Sequence, residues 1–579
     1  MEKLYNIILT EINCISNDIL FNETDIQKTN ENIEGDITIL LSRVLKNSKI
    51  DKVELEKKLA NKLIEKNIIS SYNVINVFFN IIIKDDILLT LFKDSLKEKN
   101  SFPDNKNKTV LVEYSSPNTN KPLHLGHLRN IFIGYSISQL LKKLNYNVKQ
   151  VTLVNDRGIH ICKSMVAYSL FGDNKTPETE KIKGDHFVGN FYVKFDQVYK
   201  EECKILNSKE KNPETPILNK AKNMLKLWEE KDTNTINLWL KMNKWVIDGF
   251  NETYKTLGIK FDKEYYESNT YMLGKEIIQK GLSEKIFYRE KDNSVWIDME
   301  DKGIGKKLLL RGDGTSVYIT QDLGTIEQRF KEFNFYKMLY VVGDEQIHHF
   351  NVLFEILKKL GTKYSENVNH ISYGMVELPN GKMKSREGTV VDADDIIEEM
   401  YIRAKEKTIE LGKLKNESSV EKEYIYKTIG LNSLKFYLLK VDPKKKILFD
   451  PIKSIDFNGD TAPFIMYTYV RIISILNKNN IQESDITKVE LSKIEKKIIF
   501  IILEKNEIIN RSANTYNPSL LTQYLLSLCK TFNHFYEIVN ISKTKIKEKY
   551  IFYINILLKL KKTIEEIFNI LGMNIIEHM

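Results

Sequence analysis

Two histidines enclose the sharpest chemical pattern in the chain, His124-Leu125-Gly126-His127. A strand-and-loop pattern precedes it and apolar residues at helical spacing follow it, so it is expected at the N-terminus of a helix. Such an end offers unpaired backbone N–H groups and a favourable dipole to a phosphate. His124 and His127 can then donate hydrogen bonds to charge that develops on an α-phosphate under attack, and Gly126 lets a flat base lie against the backbone. The alternative, two ordinary surface histidines, leaves the position between strand and helix unexplained.

A second group of cations lies far along the chain, in Lys382-Met383-Lys384-Ser385-Arg386. It is expected in a polar loop that follows a strand. A cation-rich loop can hold a leaving pyrophosphate and then release it. Lysine-rich loops are common in this chain, so the group alone also fits a solvated loop. Its position, one complete Rossmann pattern after His127, favours the phosphate role: Lys382 and Met383 are expected to bind ATP, and Lys382 and Arg386 to take part in catalysis.

A parallel sheet is needed to bring the two groups together. Thr109 to Tyr114 and Val148 to Val154 are predicted strands that flank the helix after Gly126. The order strand, loop, helix, strand begins a Rossmann-type sheet. The second half of the sheet has three predicted elements: a strand at Met338 to Val342, a helix at Ile347 to Leu360 and a strand at His370 to Glu377.

Other segments surround this sheet. Near the N-terminus, Leu55 to Ile68 is periodic enough for a helix, and Val74 to Ile83 has the composition of a strand. Helical patterns dominate from about Ser418 to the end. The predicted fold class is therefore multidomain α/β: a Rossmann-type parallel-sheet catalytic core with an insertion, a small N-terminal α+β domain and a C-terminal all-α helical bundle. The expected domains are 1–105, 106–415 with an inserted segment at about 170–335, and 416–579.

Composition limits the class of protein further. Of 579 residues, 42% are hydrophobic and 28% are charged, which is typical of a soluble globular protein. The net charge, 87 − 78 = +9, is compatible with a nucleic-acid partner and equally with a lysine-rich solvated surface. Apolar runs are too short for a membrane span, and the N-terminus lacks a signal-peptide layout, so a cytoplasmic location without a membrane is expected. The four cysteines are far apart, so neither zinc nor a disulfide framework is expected: Cys14, Cys162, Cys203 and Cys529.

The two motifs resemble the HIGH and KMSKS signatures of class I aminoacyl-tRNA synthetases, and the wider context resembles the arginyl-tRNA synthetases. The resemblance covers nearly the whole chain and is most specific from 111 to 165. It rests on these segments: Glu113 to Arg129, Asn155 to Gly158, Asp313 to Thr315, Tyr318 with Asp322, Gln346 with His349, Gly459-Pro463-Tyr467-Arg471, and Leu571 to Met573 with the final Met579.

Two positions depart from that family pattern. Lys384 and Ser385 stand at the third and fourth positions of KMSKS, so the usual second lysine is displaced. The resemblance implies that Lys121, just before the HIGH motif, supplies this charge instead. Val77 stands where the family has glycine, in a segment that contacts the tRNA D-loop.

An arginine side chain needs planar, bidentate acceptors. Glu113 is an acid at the end of an apolar strand, and the residues alone leave a water-facing charge as an alternative. By resemblance it contacts the substrate guanidinium together with Tyr318 and Asp322. Two such carboxylates are expected to repel each other in an empty pocket. The resemblance further implies that Asn118, His124 and Gln346 hold the α-amino and α-carboxylate groups, and that Gly343 and Asp344 contact the ATP ribose.

Candidate RNA contacts come from both ends of the chain. Tyr467 and Arg471 are four residues apart and share a helix face, where they can stack on a splayed base and hold its phosphate. An aromatic side chain packed inside the bundle is the alternative. The remaining candidates rest on the resemblance alone: Tyr536 and Met579 for the anticodon, and Phe78 and Asn80 for the D-loop.

The function that the resemblance implies is ATP-dependent ligation of L-arginine to tRNA(Arg) through arginyl-adenylate, releasing AMP and pyrophosphate, for protein synthesis. Mg²⁺ is expected with ATP but without a dedicated protein site, adenylate formation is expected to require bound tRNA, and the protein is expected to be a monomer. Another class I synthetase is an alternative, although a cysteinyl enzyme would need zinc ligands and a glutamyl or glutaminyl enzyme a basic pocket. A non-catalytic synthetase-like RNA-binding protein is a second alternative, and it predicts a damaged HIGH motif.

Overall fold

The computed structural model describes residues 1–15, 19–30, 32–48, 50–97, 102–206, 213–378, 391–414, 417–477, 486 and 489–579. The chain divides into two compact units. The first comprises Met1–Ser101, Ile465–Ser512 and Leu520–Ile567, and the second comprises Phe102–Phe464, Ala513–Ser519 and Phe568–Met579. Among the described residues, no helix is long and apolar enough to cross a membrane.

The N-terminal part of the first unit is a four-stranded antiparallel sheet with four helices. Its strand order is β1-β2-β4-β3. The sheet buries Ile37, Ile39, Phe79 and Ile81 on one face, and they alternate with Thr38 and Asn80, which are buried on the other. In chain order the elements are α1 (Glu2–Ile12), β1 (Ile26–Lys28), β2 (Ile37–Leu40), α2 (Ser42–Asn47), α3 (Lys52–Glu65), β3 (Ile69–Ile75), β4 (Phe78–Ile83) and α4 (Asp85–Lys97).

The second unit is built on a five-stranded parallel sheet and carries helical and antiparallel additions. In chain order its elements are β5 (Thr109–Glu113), α5 (Leu125–Lys143), β6 (Asn147–Val154), α6 (Ile159–Phe171), α7 (Pro177–Glu180), α8 (Gly184–Leu206), α9 (Pro216–Glu229), α10 (Thr233–Leu257), β7 (Lys263–Tyr266), α11 (Glu267–Thr270), α12 (Gly274–Ser283), β8 (Phe287–Arg289), β9 (Val295–Met299), β10 (Gly305–Leu310), α13 (Tyr318–Phe333), β11 (Lys337–Gly343), α14 (Ile347–Lys359), β12 (Val368–Tyr373), β13 (Val376–Glu377), α15 (Ala393–Glu410), α16 (Ser419–Leu439), β14 (Ile447–Leu448) and α17 (Pro451–Ser454).

The parallel sheet has the order β12-β11-β5-β6-β7, so β5 is its central strand. Leu111, Val151 and Met338, from three of these strands, belong to one buried core. The chain leaves β5 to one side, through α5 to β6, and returns on the other side at β11. This change of direction is a topological switch point, and the carboxyl ends of β5 and β11 meet there.

The C-terminal helices of the first unit are long and pack through apolar faces. Leu525, Phe532 and Phe552 illustrate the buried aromatic and aliphatic positions of this region of the chain. Its elements are α18 (Ala462–Asn477), α19 (Lys493–Leu503), α20 (Lys505–Asn514), α21 (Ser519–Ile538) and α22 (Lys547–Ile570).

The predicted fold class is confirmed, and so are the other strands and helices predicted for the two halves of the parallel sheet. The strand predicted at His370 to Glu377 is two strands instead: β12 belongs to the parallel sheet, and β13 pairs with β14 in a separate sheet. The single strand predicted at Val74 to Ile83 is wrong. The chain forms a hairpin of β3 and β4 instead. Asn76 has φ 55°, the left-handed conformation that an asparagine tolerates in a turn. The turn therefore depends on Asn76, next to the valine that stands in place of the family's glycine.

Two further features were not predicted. Strand β7, which falls inside the interval 170–335, pairs with β6 at the edge of the parallel sheet. Strands β8, β9 and β10 form a separate antiparallel sheet in the same interval. Each strand of that sheet is short, from three to six residues, and therefore gave little periodic signal.

Candidate active site

The carboxyl edge of the parallel sheet gathers most of the predicted chemical residues. Glu113 ends β5, Gly343 ends β11, and Asn155 follows β6. The loop between β5 and α5 is fixed there, because Asn155 N donates to Pro117 O at 2.9 Å and Thr119 N donates to Asn155 O at 3.1 Å. The loop therefore enters α5 from a defined position beside the sheet.

His124 and His127 form a reciprocal cap at the start of α5. Nδ1 of His124 accepts a hydrogen bond from Gly126 N at 3.1 Å, and Nδ1 of His127 accepts one from His124 N at 3.1 Å. Each ring thus satisfies a backbone N–H that the first helical turn leaves unpaired. The ring centroids lie 3.8 Å apart at 35°. The two imidazoles are therefore held side by side by backbone geometry.

Burial keeps both rings uncharged, and the cap determines which ring nitrogen carries the proton. Burial lowers the pKa of His124 to about 3, assisted by the positive charge of Lys121. Burial also lowers the pKa of His127, together with His124 and Lys121. A neutral imidazole whose Nδ1 accepts a hydrogen bond carries its proton on Nε2. Both histidines therefore offer an Nε2–H donor at neutral pH without becoming charged.

Gly126 and Lys121 complete the helix start. A Cβ on Gly126 would lie 3.0 Å from the His124 ring, so the residue must be small for that ring to reach its capping position. Lys121 is half-buried and close enough to both histidines to depress their pKa. The structure thus brings together the four predicted residues Lys121, His124, Gly126 and His127.

The segment after residue 390 pairs with the same loop. Leu125 N donates to Val391 O at 3.2 Å, and Ala393 N donates to Leu123 O at 2.9 Å. These bonds flank a β-bridge between His124 and Asp392. The predicted phosphate contacts Lys382, Met383 and Arg386 lie outside the described residues.

Arg129 joins α5 to two distant segments, a role that was not predicted. Its side chain is fully buried. Its guanidinium donates to the carbonyls of Gly374 at 2.5 Å and Lys445 at 2.7 Å, with longer bonds to Met375, Asp442 and Pro443. A planar fork with five N–H donors is suited to a fan of carbonyls.

Glu113 is buried and paired within the chain. Its carboxylate forms an ion pair with Arg329, a fully buried residue of α13, and accepts a hydrogen bond from Ser116 Oγ at 3.2 Å. Burial alone would lower the pKa of Arg329, because it favours the uncharged guanidine. The neighbouring Glu113 carboxylate outweighs that effect and keeps the pKa of Arg329 above its ordinary value. The expectation of two uncompensated carboxylates in an empty pocket is therefore wrong for Glu113.

Asp322 is also paired. His349 Nε2 lies 2.6 Å from Asp322 Oδ2, and both side chains are half-buried. The hydrogen bond with Asp322 raises the pKa of His349, against the effect of burial. Tyr318, one turn before Asp322 on α13, is 76% exposed, so its ring is available at the surface.

The remaining predicted contacts lie around the same edge with different exposure. Asn118 and Gln346 are exposed, Asp344 is half-buried and Gly343 is buried. A Cβ on Gly343 would lie 2.3 Å from a carboxylate oxygen of Glu345, the end of an exposed side chain that can move aside. Asp156, from the segment Asn155 to Gly158, supports the fold: its two carboxylate oxygens accept bonds from the backbone N and the Oγ of Ser268 at 2.8 and 2.6 Å.

The C-terminal helices place three predicted RNA contacts together. Tyr467 and Arg471 lie on α18, and the Arg471 guanidinium is 5.0 Å from the Tyr467 ring centroid and 5.3 Å from that of Tyr536 on α21. Asn533 Oδ1 accepts from Arg471 at 2.7 Å and fixes the guanidinium. The two tyrosines are 37% and 38% exposed, so the cluster forms a stack at the surface.

The other predicted RNA contacts differ from one another. Phe78, at the start of β4, is 37% exposed. Asn80 is fully buried, donates to Asn73 Oδ1 at 2.9 Å and accepts from Thr38 Oγ1 at 2.6 Å. Its amide therefore supports the sheet from inside. Met579 is half-buried at the end of the chain.

A parallel Rossmann-type sheet whose switch point holds a histidine-capped helix start defines the catalytic domain of a class I aminoacyl-tRNA synthetase. The family model of class I tRNA synthetases (R), catalytic domain, matches residues 90–450. The model of the DALR anticodon binding domain matches residues 465–579.

Relatives specify the family further. Proteins named arginine–tRNA ligase are 45% identical in Flavobacterium psychrophilum, covering 97% of each chain, and 45% identical in Amoebophilus asiaticus, covering 96% of each chain. The arginyl-tRNA synthetase structures of Thermus thermophilus and Plasmodium falciparum share the fold, with TM-scores of 0.78 and 0.76 at 22% and 20% identity. They cover 100% of this chain and 100% and 99% of their own. The chain belongs to the arginine–tRNA ligase family.

Proposed function

We propose that this protein attaches L-arginine to the 3′ end of tRNA(Arg) at the expense of ATP, for protein synthesis. One observation carries the proposal: two neutral histidines share a helix cap at the switch point of the sheet and offer paired Nε2–H donors there. Such donors stabilise negative charge on a phosphate without themselves titrating near neutral pH. The family relationship is independent support.

Two displacements make up the reaction. In the first, a carboxylate oxygen of arginine bonds to the α-phosphorus of ATP while the bond to the β-phosphate oxygen breaks, giving arginyl-adenylate and pyrophosphate. In the second, a ribose hydroxyl of the tRNA bonds to the adenylate carbonyl carbon and AMP leaves. No side-chain nucleophile is needed, because positioning and charge stabilisation lower both barriers.

The ATP groups are assigned to the start of α5. His124 and His127 donate to the α-phosphate, Gly126 accommodates the base, and Gly343 and Asp344 contact the ribose. Lys121 supplies positive charge to the phosphates in place of the displaced KMSKS lysine. Lys382, Met383 and Arg386 are proposed to hold the pyrophosphate, and Mg²⁺ enters as the partner of ATP.

Arginine is assigned to the acidic side of the same edge. A carboxylate offers about four acceptor positions, and Ser116 and Arg329 use part of those of Glu113. The substrate guanidinium is proposed to share Glu113, to replace His349 on Asp322 and to lie against the exposed ring of Tyr318. Asn118, His124 and Gln346 hold its α-amino and α-carboxylate groups.

The tRNA is assigned to both ends of the chain. Tyr467, Arg471 and Tyr536 take an anticodon base, and Met579 is a further anticodon contact. Phe78 contacts the D-loop, and Asn80 acts by supporting the strand that carries Phe78. The proposed active form is a monomer, and because tRNA and ATP are its substrates we place it in the cytoplasm.

The test is aminoacylation of total tRNA with each labelled amino acid, ATP and Mg²⁺. Arginine alone is expected to be charged, and Asp322→Asn is expected to abolish that charging. Charging with another amino acid would retain the class I reaction and overturn the pocket. Tight tRNA binding without charging would favour the non-catalytic RNA-binding alternative. Pyrophosphate exchange without tRNA tests the separate expectation that adenylate formation requires tRNA.

A further inference from the structure

A partly buried ionic cluster lies beside the helix start, outside the proposed contacts with substrate. Lys183, just before α8, is its centre. The ammonium donates to Asp394 Oδ2 at 2.6 Å, to Thr253 Oγ1 at 2.6 Å and to Asp185 Oδ2 at 3.1 Å. All three N–H groups of the lysine are therefore used, and they join α8, α10 and α15.

Asp394 is the second hub of the cluster. In addition to Lys183, it accepts a bond from His186 Nε2 at 3.0 Å and from Thr253 Oγ1 at 2.9 Å. Burial alone would raise its pKa, but the bonds from His186 and Lys183 hold the pKa of Asp394 at about 2. Asp394 is thus an anion whose orientation is set from three directions.

The cluster fixes the segment that pairs with the HIGH loop. Asp392 caps α15 by accepting from Asp394 N at 2.9 Å, and His186 Nε2 lies 3.5 Å from Asp392 Oδ1. The residues on either side of Asp392 make the backbone bonds to Leu123 and Leu125 described above. His124 lies between those two bonded residues. Its backbone is therefore connected to the cluster through one short stretch of chain.

Helix α8 also contacts the other side of the loop. A Cβ on Gly189 would lie 2.8 Å from the ring of Pro122, so the helix and the loop are in close contact there. A Cβ on Gly249 would lie 2.4 Å from Asp185 Oδ1, which places α10 directly against the cluster. Residues 121–125 are thus enclosed between α8 and the segment 391–394.

A metal ion is not needed to hold these groups. Ligand atoms of Asp185, His186 and Asp394 lie within 4.8 Å of one another, which is a spacing that a cation could use. The Lys183 ammonium already bonds to both carboxylates. It supplies the positive charge that a metal would bring.

We propose that Lys183 and His186 are positioning residues for amino-acid activation: through Asp394 and Asp392 they hold the backbone of His124 where its ring donates to the α-phosphate. The proposal rests on the proposed function and deepens it. A displacement of about 1 Å at a reacting group can cost ~100-fold in rate. Loss of the cluster is therefore expected to lower kcat and to leave arginine affinity nearly unchanged.

The cluster also gives this positioning a pH dependence. The bond with Asp394 raises the pKa of His186, with Asp392 and Asp185 adding to the effect. Burial raises the pKa of Asp392 to about 6. A group whose pKa rises on folding stabilises the folded state below its unfolded pKa and loses that contribution as pH rises through the folded pKa. Above the pKa of His186 the cluster therefore holds the segment less firmly.

The test measures kcat, KM for arginine and KM for ATP across pH in wild type and variants. We expect His186→Ala to lower kcat about 10-fold or more while KM for arginine changes less than ~2-fold. His186→Gln retains a neutral donor to Asp394. We expect the kcat of this variant to equal the value that wild type has at alkaline pH, where His186 is neutral. Its kcat should lack the increase that wild type shows as pH falls and His186 becomes charged.

Lys183→Met removes the centre of the cluster and should lower kcat more than either His186 variant. Lys200→Met is its matched control. Lys200 lies on α8, the helix that follows Lys183, and pairs with Asp196 at the surface at 2.8 Å, so its loss should leave kcat unchanged. Melting temperatures identify unfolding, and if Lys183→Met does not fold, the two His186 variants decide alone. Unchanged kcat in folded His186→Ala, or equal changes in kcat and KM for arginine, would overturn the positioning role. Wild type charging no arginine would instead overturn the proposed function.

Discussion

Arg329 forms a buried ion pair with Glu113 at the end of the central strand of the catalytic sheet. The chain therefore keeps one arginine of its own against a carboxylate proposed to bind substrate arginine. The guanidinium of Arg329 also lies 4.7 Å from the ring centroid of Tyr265 and 5.9 Å from that of Tyr340. This arrangement of carboxylate and aromatic rings stabilises a guanidinium, and it leads to the first prediction.

Glu113→Gln should destabilise the protein as well as impair arginine charging. It leaves the Arg329 cation buried without an anion, which typically costs ~3–5 kcal/mol. Arg329→Met in the Glu113→Gln background should recover most of that stability, since an apolar pair can replace a buried ion pair, but should not recover charging. Thermal unfolding and aminoacylation of the two singles and the double measure this. A double variant no more stable than Glu113→Gln would refute the pairing, and Lys358→Met, at an exposed pair with Glu366, is the control.

Arginine affinity should rise with pH because of His349. Below its raised pKa, charged His349 competes with the substrate guanidinium for Asp322. As pH rises through that pKa, which lies above the ordinary 6.5, the competition weakens and KM for arginine should fall. His349→Gln should remove this dependence while KM for ATP keeps its wild-type profile. A pH dependence that persists in the variant would show that another group is responsible.

His127→Asn should separate capping from catalysis. The asparagine Oδ1 can replace Nδ1 as acceptor for His124 N, but nothing replaces the Nε2–H donor. We expect kcat to fall by ~100- to 1,000-fold, the usual loss of one transition-state donor, with little change in melting temperature. His127→Gln is the comparison, because its amide reaches the Nε2 position instead. Equal activity of His127→Asn and wild type would remove this residue from the reaction.

Neither histidine of the HIGH motif should titrate in activity profiles. The pKa of His124 is about 3, and that of His127 is also far below its ordinary value. His124 is therefore a neutral donor from pH 5 upward, and His127 is a neutral donor near pH 7. Profiles of kcat in the His186→Gln background, with arginine saturating, should show no inflection between about pH 5 and 8 that depends on His124 or His127; an inflection near pH 6 there belongs to Asp392. An inflection that disappears in His127→Asn would contradict the neutral state.

Arg471→Met should weaken tRNA binding without affecting arginine. Stacking of a base on an aromatic or arginine surface contributes ~1–3 kcal/mol, so the dissociation constant for tRNA should rise about 10-fold or more. Fluorescence anisotropy with tRNA(Arg) and KM for arginine measure the two effects. Lys58→Met, at an exposed ion pair with Glu54, controls for loss of one positive charge. Similar losses in tRNA and arginine affinity would argue against the assignment.

The sequence predicted those features that arise from local order. The strand before His124, the helix after it and the glycine between the histidines are adjacent in the chain, so their arrangement follows from periodicity and helix-end chemistry. The stack of Tyr467 on Arg471 is local in the same way, because residues four apart share a helix face.

Partners that are distant in sequence could not be predicted in this way. Arg329 is one of many basic residues in segments whose periodicity predicts an ordinary helix. The residues next to it in the sequence do not indicate that it pairs with Glu113. Lys183 and Asp394 likewise meet only because α8 and α15 pack on the same loop. Asn80 shows the opposite case: the resemblance marked the residue, but only the sheet register reveals that its amide faces Thr38 inside the fold.

The carbonyls that Arg129 binds lie as far as 316 residues further along the chain. A ribosome adding about 5–20 residues per second needs roughly 15–60 s to produce them after Arg129 itself. During that interval the first helix of the nucleotide site carries a cation without its final partners. The catalytic domain can therefore complete its packing only after residue 445 has left the ribosome, and chaperones have the earlier half of the sheet available to them throughout synthesis of the remainder.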